Sequence, residues 1–331
     1  MTTLLNIPYE LQDYTWRPYR RQDVPALYHL MLAVDRAENR NLLLTLQDME
    51  TQFDDPWSNA ETDSLVAFAA DGQIAVWARV FANPEPQDEC RAFLWCEVHP
   101  DHPGNGLADF AFSWMEARGR ARLNEMPPHL PRVLRSSAQD DVRERVTLLE
   151  RHAFRPVRYF YRMRRDLSQP IPDGHAPEGI TLRTFSPELG ARARQSLNEA
   201  FADHWSFEPV SEEDWQMFFM GRSDFRPDLT FIAMEGEQVA GVCLNVVNRE
   251  TNERQGTNEG WIQDLGVRRA WRKRGLASAL LCASMRAFKA DGLDDAMLGV
   301  DTENPTGALK LYQRLGFSPV KRFINFEKPV S

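Results

Sequence analysis

Residues 268–281, RRAWRKRGLASALL, set five basic side chains in seven positions ahead of a glycine and a run of small and apolar residues, in a chain of formal net charge -9. A helix opening after that glycine has first-turn N–H groups without intrahelical partners, and glycine accepts backbone angles that a larger residue resists. Arg272, Lys273 and Arg274 add charge at the positive end of the helix, so with Gly275, Leu276 and Ala277 they form a cradle for a diphosphate. The positive charge is local because its ligand is local. An ordinary solvated loop is the plain alternative, and the position before Gly275 favours anion binding. The chain contains neither GxxxxGK(S/T) nor GxGxxG, which weakens kinase and dehydrogenase assignments.

The elements that hold this loop can be read from periodicity. Leu276, Leu280, Ser284, Ala287 and Phe288 recur three or four residues apart and predict a helix after Gly275. Upstream, GWIQDLGV reads as a strand, and LTFIAMEGEQVAGVCLNVV as a hairpin turning at Gly236. A helix capped by Ser186 with Pro187 first carries Leu189, Ala193, Leu197 and Phe201; a second, from the box Ser211 to Asp214, buries Trp215, Phe218 and Phe219. Downstream come the strand AMLGV, the helix PTGALKLYQRLG, and two short strands in FSPVKRFINFEKPV.

The same order occurs earlier in the chain. A hairpin turns at Gly72, 164 positions before Gly236, and LLERHAFRPVRYFYRMRRDL lies over LYQRLGFSPVKRFINFEKPV with Phe154 placed 163 residues before Phe317. Two copies of one α/β unit follow from this spacing. The proline- and glycine-rich SQPIPDGHAPEG, residues 168–179, is the linker, which gives a first domain at 1–167 and a second at 180–331.

VRRAWRKRGLASALL followed by DTENPTGALKLYQRLGF resembles the GCN5-related N-acetyltransferase (GNAT) superfamily, most strongly over residues 180–331. The resemblance implies two tandem acyl-CoA N-acyltransferase folds, each a mixed central sheet flanked by helices. It also implies acetyl-CoA as the acyl donor, with its pyrophosphate on the Arg272–Ala277 loop, and no metal. Asn304 and the backbone of Leu265 and Val267 would then face the pantetheine arm, and Tyr312 would protonate the departing thiolate. Tyr312 also fits an apolar pattern with Leu309, Leu311 and Leu315, and Asn304 a plain turn.

In the first copy Pro103 replaces the equivalent of Arg272 and Leu149 that of Tyr312, so this copy is expected to be degenerate and the second catalytic. The arrangement is similar to that of tandem mycothiol synthases. The family's glutamate base falls here on Trp261, which leaves Glu259, of the same strand parity, as the candidate base. Asp264 would face the other side unless a bulge intervenes. His204, Trp205 and Glu208 cluster in FADHWSFEP as acceptor-binding candidates: a proton acceptor, an apolar surface and a partner for an ammonium group.

Composition narrows the partners. At pI 5.4 the chain lacks the broad basic surface that nucleic acid requires. It has no signal-peptide pattern and no stretch of 18 apolar residues, so neither a membrane nor secretion is expected and the cytoplasm is the default. Cys90, Cys96, Cys243 and Cys282 read as buried free thiols. The expected activity is N-acetyl transfer to the amine of a small-molecule or peptide-like acceptor, with homo-oligomerisation left open. The competing classes are a non-enzymatic acyl-CoA-binding or protein-interaction module and a transferase of longer acyl groups.

Overall fold

A computed structural model describes residues 7–104 and 106–330. The chain forms two compact units: one runs to Val157 and takes back the residues from Ile324 on, and the other is Arg158–Phe323.

In the first unit, β1 (Thr15–Arg17), α1 (Val24–Glu38) and α2 (Leu46–Phe53) precede the hairpin β2 (Ser64–Phe68) and β3 (Ile74–Phe81). There follow β4 (Cys90–Val98), α3 (Leu107–Asn124), β5 (Arg132–Gln139) and α4 (Arg143–Arg151). The sheet order is β1-β2-β3-β4-β5, antiparallel up to β4 and parallel between β4 and β5. One face packs on α1 and α2 around Leu27, Met31 and Trp77; the other packs on α3 and α4 around Phe112, Met115 and Leu149.

The second unit begins in β6 (Arg155–Asp166) and repeats the plan with β7 (Thr181–Thr184), α5 (Gly190–Phe201), α6 (Glu212–Trp215), β8 (Phe231–Glu235) and β9 (Gln238–Val246). It continues through α7 (Arg249–Gln255), β10 (Glu259–Val267), α8 (Leu276–Ala290), β11 (Asp295–Asp301), α9 (Ala308–Arg314) and into β12 (Ser318–Pro329). Its sheet order is β6-β11-β10-β9-β8-β7, with β10 and β11 parallel. Each unit is therefore the expected mixed sheet between helical layers.

Three expectations are corrected. The domain boundary does not fall at the linker, because β6 pairs with β11 from Phe160 to Asp166, while the end of β12 returns to the first unit, where the Val330 N–H donates to Arg132 O at 2.9 Å. The last strand of each sheet thus comes from the other half of the sequence. The closing segment is one twelve-residue strand rather than two short ones: Pro319 falls at its second residue, and Asn325 is carried within the strand without a turn. After the Ser211 cap, α6 widens into a π-helical turn at Gln216–Met220; this changes the residue spacing, so Trp215 and Phe219 reach the core and Phe218 does not.

Candidate active site

β10 and β11 pair only as far as Ile262 and Leu298. Beyond these residues the strands diverge, and a cavity of about 820 Å³ opens between them, bounded by the loop before α8, the start of α9 and the end of α5. Its volume suits a small-molecule or cofactor site. The Arg268 N–H donates to Ala240 O of β9 at 3.0 Å, which fixes the parity of the strand end: Arg268 and Gly266 turn their backbone groups to β9, while Leu265 and Val267 turn theirs to the open side. Both of these expected cofactor-facing residues line the cavity.

A bulge in β10 between Ile262 and Asp264 re-aims the strand just where the sheet opens. Its sequence signal is the pair Gln263-Asp264, two consecutive polar residues inside an apolar strand. Asp264 lies in the cavity wall, and among the described residues its carboxyl group takes no hydrogen bond. Burial pushes its pKa up to about 6, against the pull of Arg222. The Tyr312 ring enters the same cavity from α9 and packs edge-on to Phe317. Burial raises the Tyr312 phenol well above its ordinary value, with the charges of Cys243 and Asp264 acting in the same direction, so it stays protonated. Glu259 is not brought to the cavity. It sits at the paired end of β10 opposite Asp295, buried, before the strands part.

The basic loop is built differently from its sequence reading. Arg272 donates from Nε to Val267 O at 3.1 Å, from Nη2 to Ala200 O at 2.8 Å and from Nη1 to Asp203 at 3.0 Å. Arg269 pairs with Asp203, Arg268 with Glu199 and Arg274 with Glu235. Four of the five charges are thus met by acids of this chain, and Arg272 clamps the loop to the end of α5. Lys273 alone among the five has no ion pair or hydrogen bond from its side chain among the described residues. Its φ of +62° and that of +86° at Gly275 curl the backbone into a concave turn, and Gly275 caps α8 without a side-chain bond. The N–H groups of the first turn of α8, with Leu276 and Ala277 in the wall, therefore face the cavity without side-chain caps.

Asn304 lines the opposite wall. Its Oδ1 accepts from Thr306 N at 2.8 Å and Oγ1 at 2.6 Å, and its Nδ2 lies 3.1 Å from His204 Nε2. A residue expected to meet the cofactor and one expected to meet the acceptor are thus bonded to each other. Burial lowers the His204 pKa below its ordinary value. Trp205 and Glu208 do not line the cavity: Arg158 sits over the Trp205 ring at 5.7 Å while its guanidinium binds Asp301, and Glu208 is half-buried elsewhere in the loop.

The model of the Acetyltransferase (GNAT) family matches residues 191–317. A mycothiol acetyltransferase from Thermobispora bispora is 31% identical over 248 residues, which is 72% of this chain and 76% of that protein. The chain belongs to the acetyltransferase (GNAT) family. A mycothiol acetyltransferase from Salinispora tropica is 29% identical over 315 residues, 92% of each protein. The crystal structure of a GCN5-related N-acetyltransferase from Sphaerobacter thermophilus superimposes with TM-score 0.74 at 28% identity, covering 98% of this chain and 97% of that one. A tandem GNAT protein from the clavulanic acid biosynthesis pathway shares the fold at TM-score 0.66 and 14% identity, over 96% of this chain and 98% of that one. The GNAT chain described here is a tandem acyltransferase that uses an acyl-CoA. The curled amides of its cavity suit a diphosphate, and the free edge of β10 suits an amide-bearing arm.

Proposed function

We propose that the second unit transfers an acetyl group from acetyl-CoA to the amine of a small-molecule acceptor, and that the first unit has no catalytic role. One observation carries this: Asp264, a half-buried carboxyl group without a hydrogen bond among the described residues and with a pKa of about 6, shares a cavity with the protonated phenol of Tyr312. Two groups whose environments hold one ready to take a proton and the other ready to give one make an acid–base pair.

Lys273 and the amides of residues 275–278 hold the diphosphate, and the backbone edges of Leu265 and Val267 hold the pantetheine arm. Bound acetyl-CoA supplies the activated thioester. Asp264 takes the proton of the attacking amine, directly or through a water, in place of the more distant Glu259. Tyr312 gives its phenolic proton to the sulfur that leaves. Asn304 and neutral His204 fix the wall past which the acceptor enters. No metal is required, because the thioester is already activated and the charge that develops meets fixed amides. The relatives' name, mycothiol acetyltransferase, supports a small molecule over a peptide.

Incubation with acetyl-CoA and a broad panel of amines, with free thiol as the readout, tests the reading. Acceptor-dependent release of CoA that falls steeply from acetyl- to longer acyl-CoA is expected. Absence of release with every amine would overturn it.

A further inference from the structure

The two copies share backbone hydrogen bonds at matching places around their splayed strands, and this equivalence exposes a difference the motifs do not carry. The His99 N–H donates to Ala75 O as the Arg268 N–H does to Ala240 O, so Cys96 corresponds to Leu265 and Glu97 to Gly266, each 169 residues apart. After the helices, Phe154 N–H donates to Leu149 O and Phe317 N–H to Tyr312 O, both at 3.0 Å, and Ala153 and Gly316 both take positive φ. Leu149 therefore corresponds to Tyr312, and Arg145 to Ala308, each 163 residues apart.

In the second unit Leu265, Gly266 and Ala308 all border the cavity. In the first, Arg145 reaches from α4 and donates to Cys96 O at 2.8 Å, the carbonyl equivalent to that of Leu265 on the open edge. Its guanidinium continues to Glu97 and, at 2.8 Å, to Glu38 at the end of α1, on the opposite face of the sheet. Arg40 closes the cluster with two bonds to Glu97, at 2.7 and 2.8 Å, and one to Glu38 at 2.5 Å. Glu97 is 1% exposed. Burial pushes its carboxyl group up, and Arg145 and Arg40 outweigh burial to hold it below the usual range. Two guanidiniums and two carboxylates thus gather at the open edge of β4 and bond to one another, whereas a single methyl group stands at the position matching Arg145 in the second unit.

We infer that Arg145, with Glu38, Arg40 and Glu97, is a built-in stopper that closes the first copy to acyl-CoA, and that the small side chain of Ala308 keeps the second copy open, so that the chain binds one acyl-CoA. This rests on the acyl-CoA reading of the second unit. Displacing the stopper would leave buried charges without partners, which a pantetheine amide does not compensate.

Titration of the full chain with CoA, by calorimetry and native mass spectrometry, tests it. One equivalent is expected, and Ala308→Arg weakens binding by about 100-fold or more while the circular dichroism spectrum is kept, since it places an arginine where Arg145 stands. Hydrogen exchange of the wild-type chain with CoA covers the case in which Ala308→Arg does not fold: protection is expected at residues 275–279 and not at 107–110. A second equivalent, protection at 107–110, or full binding by folded Ala308→Arg overturns the stopper with the acyl-CoA reading intact. Failure of the wild-type chain to bind CoA at all overturns that reading, and the stopper inference with it.

Discussion

Asn304 Nδ2 lies 3.1 Å from His204 Nε2 across a sequence separation of 100 residues. Because Thr306 occupies Oδ1 of the amide through both its N–H and its hydroxyl, the NH₂ group must face the ring, and Nε2 must accept. His204 is therefore neutral with its proton on Nδ1, in keeping with its lowered pKa. Asn304→Asp replaces the donor by a carboxylate and is expected to raise the His204 pKa above the ordinary histidine value. Imidazole nitrogen shifts followed against pH measure this; an unchanged titration would show that the contact does not set the tautomer.

Asp264→Asn is expected to lower kcat about 100- to 1,000-fold, the span of a general base, with KM for acetyl-CoA little changed. The wild-type enzyme should gain activity as pH rises through about 6, as the carboxyl group ionises, and the variant should lose that limb.

The same group makes a stability prediction of definite sign. Its folded pKa of about 6 lies above the unfolded value, so the folded state binds the proton more tightly. That contribution is fully present below about pH 4 and is lost as pH rises through the folded value. Asp264→Asn should therefore raise Tm relative to wild type more at pH 8 than at pH 5, measured by differential scanning calorimetry.

Tyr312→Phe keeps the ring against Phe317 and removes the proton donor. Single-turnover transfer is expected to slow by about 100-fold with the affinity for acetyl-CoA unchanged. A loss confined to affinity would return Tyr312 to a packing role.

Lys273→Ala and Arg274→Ala separate unpaired from paired charge. The first is expected to weaken CoA binding roughly tenfold at low ionic strength, an effect that fades with added salt; the second, whose guanidinium is already held by Glu235, should change it little. Arg272→Ala leaves the carbonyls of Ala200 and Val267 without their donor and should cost stability of about 1–3 kcal/mol, seen in urea unfolding.

What the sequence made legible was periodic or punctuated. The spacing of Leu276, Leu280 and Phe288 announced α8, and Gly72 and Gly236 marked the two hairpins, because core-facing stripes and positive-φ turns leave their trace in adjacent residues. Helix α7 was missed, since its residues are almost wholly polar; only the Asn248 cap on Thr251 and the left-handed stop at Gly256 give it away. The fates of the arginines were not legible either: the acids that meet Arg268, Arg269 and Arg272 lie on α5 and just after it, some 70 positions away, and pairing at that range is decided by the fold. The place of Asp264 in the cavity wall was not legible for a similar reason, because a one-residue bulge exchanges the faces of everything after it, and counting parity from Glu259 assumes an unbroken strand.

Because β6 ends in the second unit's sheet and β12 in the first's, a cut within residues 168–179 does not yield two self-sufficient fragments. Each product would lack the outermost ribbon of its own fold and carry its sibling's instead. A single repeat made alone could be whole only by bartering tails with a twin molecule, and the tether at 168–179 turns that trade between two molecules into an internal one.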